Sequence, residues 1–209
     1  MRRRRSPSAR RARANGFSLP ELVIVLALLG LALGAAGPAW SNIRSRISLQ
    51  AASSILRGEL RELRSQAVCE GRHVGWRTWQ DGRSAWWLRP YRDGDGDGLR
   101  SDDIREGIDE PAGPAHPALP IDGSCRLGFP TQGVPDPSAP SVILRDDASP
   151  FRFGVSGLVS FSPLGDASPG SIFLTDSTGR AWCLRLTPGS GRPHLLRWEP
   201  SQSRWLPGP

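Results

Sequence analysis

Three aspartates separated by single glycines, Asp93, Asp95 and Asp97, followed by Gly98, are the densest chemistry in this chain. Acids at positions 1, 3 and 5 of a loop, with glycine at 6 for the sharp turn, gather hard oxygen donors around one point, and that set suits calcium. In such a loop Leu99 would offer its carbonyl and Ser101 a hydroxyl or a water. Ile104 stands at position 12, where a bidentate acid is expected, so Asp102 or Asp103 would serve in a shortened loop. No flanking helices are expected. The competing reading is an acidic, glycine-rich turn without an ion, and no cofactor is required by any other motif.

A second chemical oddity lies near the N-terminus. Residues 17–37 read FSLPELVIVLALLGLALGAAG and carry one charge, Glu21. As a helix this stretch spans ~30 Å, the thickness of a bilayer core. An unpaired carboxylate there is costly, so Glu21 needs a positive partner. The first sixteen residues hold seven arginines and no acid. Such a flank stays cytoplasmic, and the body that follows is exported. An ordinary secretory signal has its small-residue cleavage site after the apolar run. Here Gly16 and Phe17 precede the run and the glutamate interrupts it.

The formal net charge of +7 belongs to that leader. Without it the chain is neutral, which removes bulk charge as an argument for nucleic-acid binding. The remainder is uneven: residues 69–149 hold 9 basic and 14 acidic groups, residues 150–209 hold 6 and 3. Arg180, Arg185, Arg192 and Arg197, with the tryptophans nearby, are the candidate strip for contacting DNA phosphates and bases. A solvated strand face is the plainer account of them. His73, His116 and His194 are far apart in sequence, and no nucleophile, metalloprotease or phosphate-loop motif is present, so an enzyme is not expected. Cys69, Cys125 and Cys183 lack metal-ligand spacing; one disulfide is open to them in an oxidising compartment, in any of three pairings.

These groups must be held by a scaffold that the pattern outlines. Ile43, Ile47, Ala51, Ile55, Leu56, Leu60, Leu63 and Ala67 recur at steps of three and four, as one helical face. A single helix from about 18 to 68 follows, its stripe meeting either a sheet or a partner; the strands beyond need a cover, which favours the sheet. VGWRTW (74–79) and SAWWLRPY (84–91) around Asp81-Gly82 predict a hairpin. Residues 93–141, rich in proline, read as a surface excursion. Strands follow at 157–165, 170–176, 179–187 and 192–199, with Trp182, Leu184 and Leu186 alternating with Cys183 and Arg185 as in a half-buried strand.

GFSLPELVIVLALLG, residues 16–30, resembles the class III signal of type IV pilins and pseudopilins. The resemblance implies cleavage after Gly16 by a prepilin peptidase and methylation of the new terminus at Phe17. It also implies pairing of Glu21 with the terminal amine of a neighbouring subunit during assembly. Pro20 departs from the usual apolar residue, but a first helical turn tolerates it. Gly157, Phe161, Gly165, Asp176, Gly179 and Arg180, in that order, with LRSQAVCEGRHVGW (63–76), resemble the soluble domain of the GspH/FimT pseudopilins and minor pilins. That match covers both ends of the head and not its middle. It implies an α+β fold, a long N-terminal helix on antiparallel sheet. The organisation expected is a leader (1–16), a transmembrane helix (17–38), its amphipathic continuation (39–68) and a periplasmic head (69–209). The implied role is a structural subunit of an inner-membrane filament serving type II secretion or pilus assembly, with other pilins as partners. The alternative is a minor pilin whose head binds an external ligand such as DNA.

Overall fold

The computed structural model describes residues 18–119, 124–154 and 156–208. It consists of an N-terminal helix followed by antiparallel sheets, an α+β arrangement. The helix α1 is Leu19–Glu70. Pro20 and Glu21 occupy its first turn, where a missing N–H costs nothing and an acid meets the positive end of the helix dipole. Gly71, at φ +64°, ends it: the left-handed turn lets Arg72 N–H donate to the Ala67 carbonyl. Two compact units share the chain, residues 1–41 and 42–209. In the first, Leu19, Leu22–Leu26, Leu28, Leu29 and Leu31 are all exposed. A helix apolar on every side has no aqueous face to offer.

In the second unit, two sheets share one helix. The first runs β3 (Glu110–Pro111), β2 (Trp86–Arg92), β1 (Val74–Gln80), β9 (Val159–Phe161), with β4 (His116–Pro117) also on β2. The second runs β13 (Arg204–Pro207), β12 (Pro193–Glu199), β11 (Ala181–Leu186), β10 (Gly170–Asp176), β5 (Cys125–Leu127), with β8 (Phe151–Arg152) also on β10. Strands β6 (Val134–Asp136) and β7 (Ala139–Leu144) form a separate hairpin. Leu49, Leu56, Leu60, Leu63 and Ala67 of α1 pack with Trp76, Leu88 and Phe161 of the first sheet and Ile172, Leu174, Leu184 and Leu186 of the second.

The apolar stripe divides. Leu56, Leu60, Leu63 and Ala67 are buried, whereas Ile43, Ile47, Ala51 and Ile55 are exposed. Toward the N-terminal end the buried face passes instead through Ser45, Leu49, Ala52 and Ser53. The buried serine hydroxyls are bonded: Ser45 meets the Ser177 hydroxyl at 3.1 Å, and Ser53 donates to the Gln50 carbonyl of its own helix at 2.9 Å. The sheet-covered reading of the stripe thus holds for its C-terminal half, and the N-terminal half is exposed.

Strands β1 and β2 form the expected antiparallel hairpin, with Gln80 opposite Trp86; in its connection Asp81 Oδ1 accepts N–H bonds from Arg83 and Ala85, and Asp81 Oδ2 accepts one from Trp87 Nε1. Strand β11, by contrast, is not half-buried. Cys183 is as inaccessible as Leu184, because a second core of Phe129, Val134, Leu144, Phe173 and Ala181 covers the other side of its sheet. Trp205 and Trp198 close this core, their rings 5.6 Å apart, and Trp205 Nε1 donates to the Pro135 carbonyl at 2.8 Å. Residues 93–141 are woven into the fold, supplying edge strands to both sheets and Phe129 and Val134 to the second core.

Candidate functional site

Gly16 and Phe17, with the rest of the leader, lie outside the described residues. Glu21 is exposed in the first turn of α1, amid exposed Leu19, Leu22, Ile24, Val25 and Leu28. Among the described residues no helix is long and apolar enough to cross a membrane. The side chains of 32–39, which complete the apolar stretch, fall outside them.

The aspartate loop is built around two buried carboxylates. Asp93 Oδ1 accepts from Asp95 N–H and Gly96 N–H, and Asp93 Oδ2 from Gly98 N–H at 2.9 Å. Burial opposes its charge, but these three donors outweigh burial and hold its carboxyl below the usual range. Asp109 Oδ1 accepts from Gly94 N–H and Asp109 Oδ2 from Arg100 N–H at 3.0 Å, which ties the loop's two ends together. Gly96 and Gly98 sit at φ +93° and +98°, and a Cβ on Gly94 would meet the Ile108 carbonyl at 1.9 Å. Glycine is therefore required at Gly94 for space and at Gly98 for conformation.

This frame brings carboxylate oxygens of Asp93, Asp95 and Asp97 within 4.8 Å of one another. Oxygens sharing one calcium at about 2.4 Å can be no further apart than about 5 Å, so the three fit a common ion. Asp103 lies outside that trio, but its Oδ2 is buried without a hydrogen-bond partner. Burial, then the charges of Asp97, Asp109 and Asp95, push its carboxyl above the usual range. Asp97 is raised too, by burial and then Asp95, although Arg100 pairs with it and opposes the shift. Of the other proposed ligands, Asp102 is exposed and bonded to Arg105 Nη2 at 2.7 Å, and the Leu99 side chain packs against Tyr91, Ile104 and Leu158. Ser101 opens a short helix, α2 (Ser101–Glu106), where no flanking helix was expected. Asp109 was missed, since nothing in its spacing from Asp97 marks it.

The arginine strip does not form one surface. Arg197 lies opposite Trp182 and Arg185 opposite His194, so they project from opposite faces of the sheet. Arg180 pairs with Asp176 at 3.3 Å, Arg185 donates to the Pro137 carbonyl, and Arg197 pairs with Glu199. Arg192 alone of the four has no such partner among the described residues. The histidines stay on separate elements: His73 precedes β1, His116 lies in β4 and His194 in β12. No disulfide joins the described cysteines; Cys69 is exposed, Cys125 half-buried and Cys183 buried, its thiol pushed up to about 12 by desolvation.

Residues 11–37 match the model of the prokaryotic N-terminal methylation motif. No curated protein and no solved structure matches the chain. The matched segment contains Gly16, Phe17 and Glu21 and ends where the apolar stretch ends.

Proposed function

We propose, taking the methylation motif at residues 11–37 as premise, that this chain is the precursor of a structural pseudopilin. Prepilin peptidase removes residues 1–16 and methylates Phe17. The mature helix anchors the subunit in the inner membrane, with the head in the periplasm, and packs among other pilins in a filament of type II secretion or pilus assembly. The order of motifs in the head supports the GspH/FimT class. The observation that carries the reading is a lone carboxylate, Glu21, five residues past a glycine–phenylalanine junction and inside an apolar helix. In a low-dielectric setting that carboxylate persists only beside a cation, and a neighbour's amino terminus supplies one. The test is the intact mass of the membrane-extracted protein with and without co-expressed prepilin peptidase. The expected product lacks residues 1–16 and gains one methyl on Phe17; a full-length mass with active peptidase refutes the reading.

A second reading concerns the head, favoured by the convergence of Asp93, Asp95 and Asp97 and the partnerless oxygen of Asp103. We propose that this loop holds calcium. Repulsion among the acids opposes the loop, and a divalent ion would relieve it. Saturating calcium should raise the melting temperature of the detergent-solubilised chain by on the order of 5 °C. Asp95→Ala, which removes an exposed side chain whose one hydrogen bond is a long 3.3 Å contact from Asp97 N–H, should abolish the rise. An unchanged melting curve in excess calcium would leave the loop an ordinary acidic turn.

A further inference from the structure

Beside the far half of α1 lies an open groove of about 750 Å³, lined by Arg57, Arg61, Arg64, Arg192 and His194, with Cys69 at its rim. No carboxylate lines it. Arg57, Arg61 and Arg64 follow at steps of four and three, so they share one face of the helix. Arg192 and His194 face them from the start of β12. Among the described residues none of these four arginines takes part in an ion pair, whereas seven other arginines of the head do.

Two independent features show a built arrangement. Arg64 is fixed: its Nε donates to the Gly165 carbonyl at 2.9 Å. Gly165 and Gly191, both buried and both at positive φ, give it room. A Cβ on Gly191 would strike the Gly165 carbonyl at 1.8 Å and Arg64 Nε at 2.8 Å. With Nε satisfied, the two Nη groups of Arg64 keep their donors for something else. Arg57, conversely, has a buried Nε with no acceptor in the protein. An unsatisfied buried donor is costly, and a ligand oxygen in the groove would satisfy it.

We propose that this groove is a binding site for a polyvalent phosphate-class oxyanion. Four guanidiniums with no acid among them call for more than one negative charge. Several carry planar donor forks that match phosphoryl oxygens two at a time. A single carboxylate brings one charge and leaves most of the site unneutralised. The groove is separate from the processing segment and from the aspartate loop, and the inference stands whether or not the chain joins a filament.

The test is arginine footprinting of the full chain in non-ionic detergent and divalent-free buffer. Phenylglyoxal labels accessible guanidiniums, and mass spectrometry reads each residue separately, so the arginine-rich leader does not confuse the result. Tripolyphosphate should slow labelling of Arg61 and Arg192 about ten-fold while leaving exposed Arg145 and Arg204 unchanged. The double variant Arg61→Ala/Arg192→Ala removes two exposed side chains. It should melt as the parent does yet lose the protection of Arg64. Equal protection at Arg145 and Arg204, or none in the groove, overturns the proposal. Hexa-aspartate protecting as well as tripolyphosphate at matched charge also overturns it, and assigns the groove to an acidic protein segment.

Discussion

If the chain is processed and assembled as proposed, Glu21→Ala should leave the leader cleaved and Phe17 methylated, and should all but abolish incorporation into filaments. The two readouts should separate because the proposed cleavage acts on the Gly16–Phe17 junction, whereas the proposed pairing of the carboxylate comes later, with a neighbour. Removing one partner of an ion pair in a water-poor setting strands the other charge, at about 3–5 kcal/mol, or a hundred-fold or more in the assembly equilibrium. In the single chain Glu21 is exposed in the first helical turn, so its loss should not unfold the head. The measurement is intact mass for processing, with the sheared-filament or secreted-protein yield for assembly. Normal yield from Glu21→Ala would mean the carboxylate has no partner in the assembled state.

Leu60→Ala, in the middle of the helix–sheet core, should cost about 3 kcal/mol and lower the melting temperature by on the order of 10 °C. Leu60 is fully inaccessible and packs in a core drawn from both sheets. Ile47→Ala on the same helix should change stability by no more than about 0.5 kcal/mol, since Ile47 is 61 % exposed. Thermal melts of the two variants in the same detergent check the division of the stripe. Equal losses would show that the N-terminal half of the stripe is covered as well.

That division marks where sequence reading stopped. Period alone placed α1 within two residues at its C-terminal end and located the strands β1, β2, β10, β11 and β12. It could not tell Ile47 from Leu49, because an apolar residue at a helical step looks the same facing sheet or solvent. Cys183 was misread for a related reason. Alternation reports one buried face, and the cover on the other comes from residues 129–144 and 205, distant in sequence. At the aspartate loop, Asp93, Asp95 and Asp97 were legible from spacing, and Asp103 was named among the alternatives. Asp109 was not, because it acts through main-chain N–H bonds across the loop. The arginine strip failed because strand parity, which decides the face, separates Arg185 from Arg197.

β1 has β9 as a neighbour, and β10 has β5. Neither sheet can therefore be completed from a contiguous stretch of chain: the first waits for residues 159–161, and the second reaches back to 125–127 and forward to 207. If the head is exported as proposed, beginning with its helix-proximal end, the chain must emerge as far as Phe161 before the first sheet has its full set of hydrogen bonds, and as far as Pro207 before the second does. The pairings that close the structure are the long-range ones, which form slowly. Until they form, β1 and β10 present bare edges to whatever else is in the compartment. Folding of this chain is in that sense a race between closing its own sheets and pairing with the wrong strand.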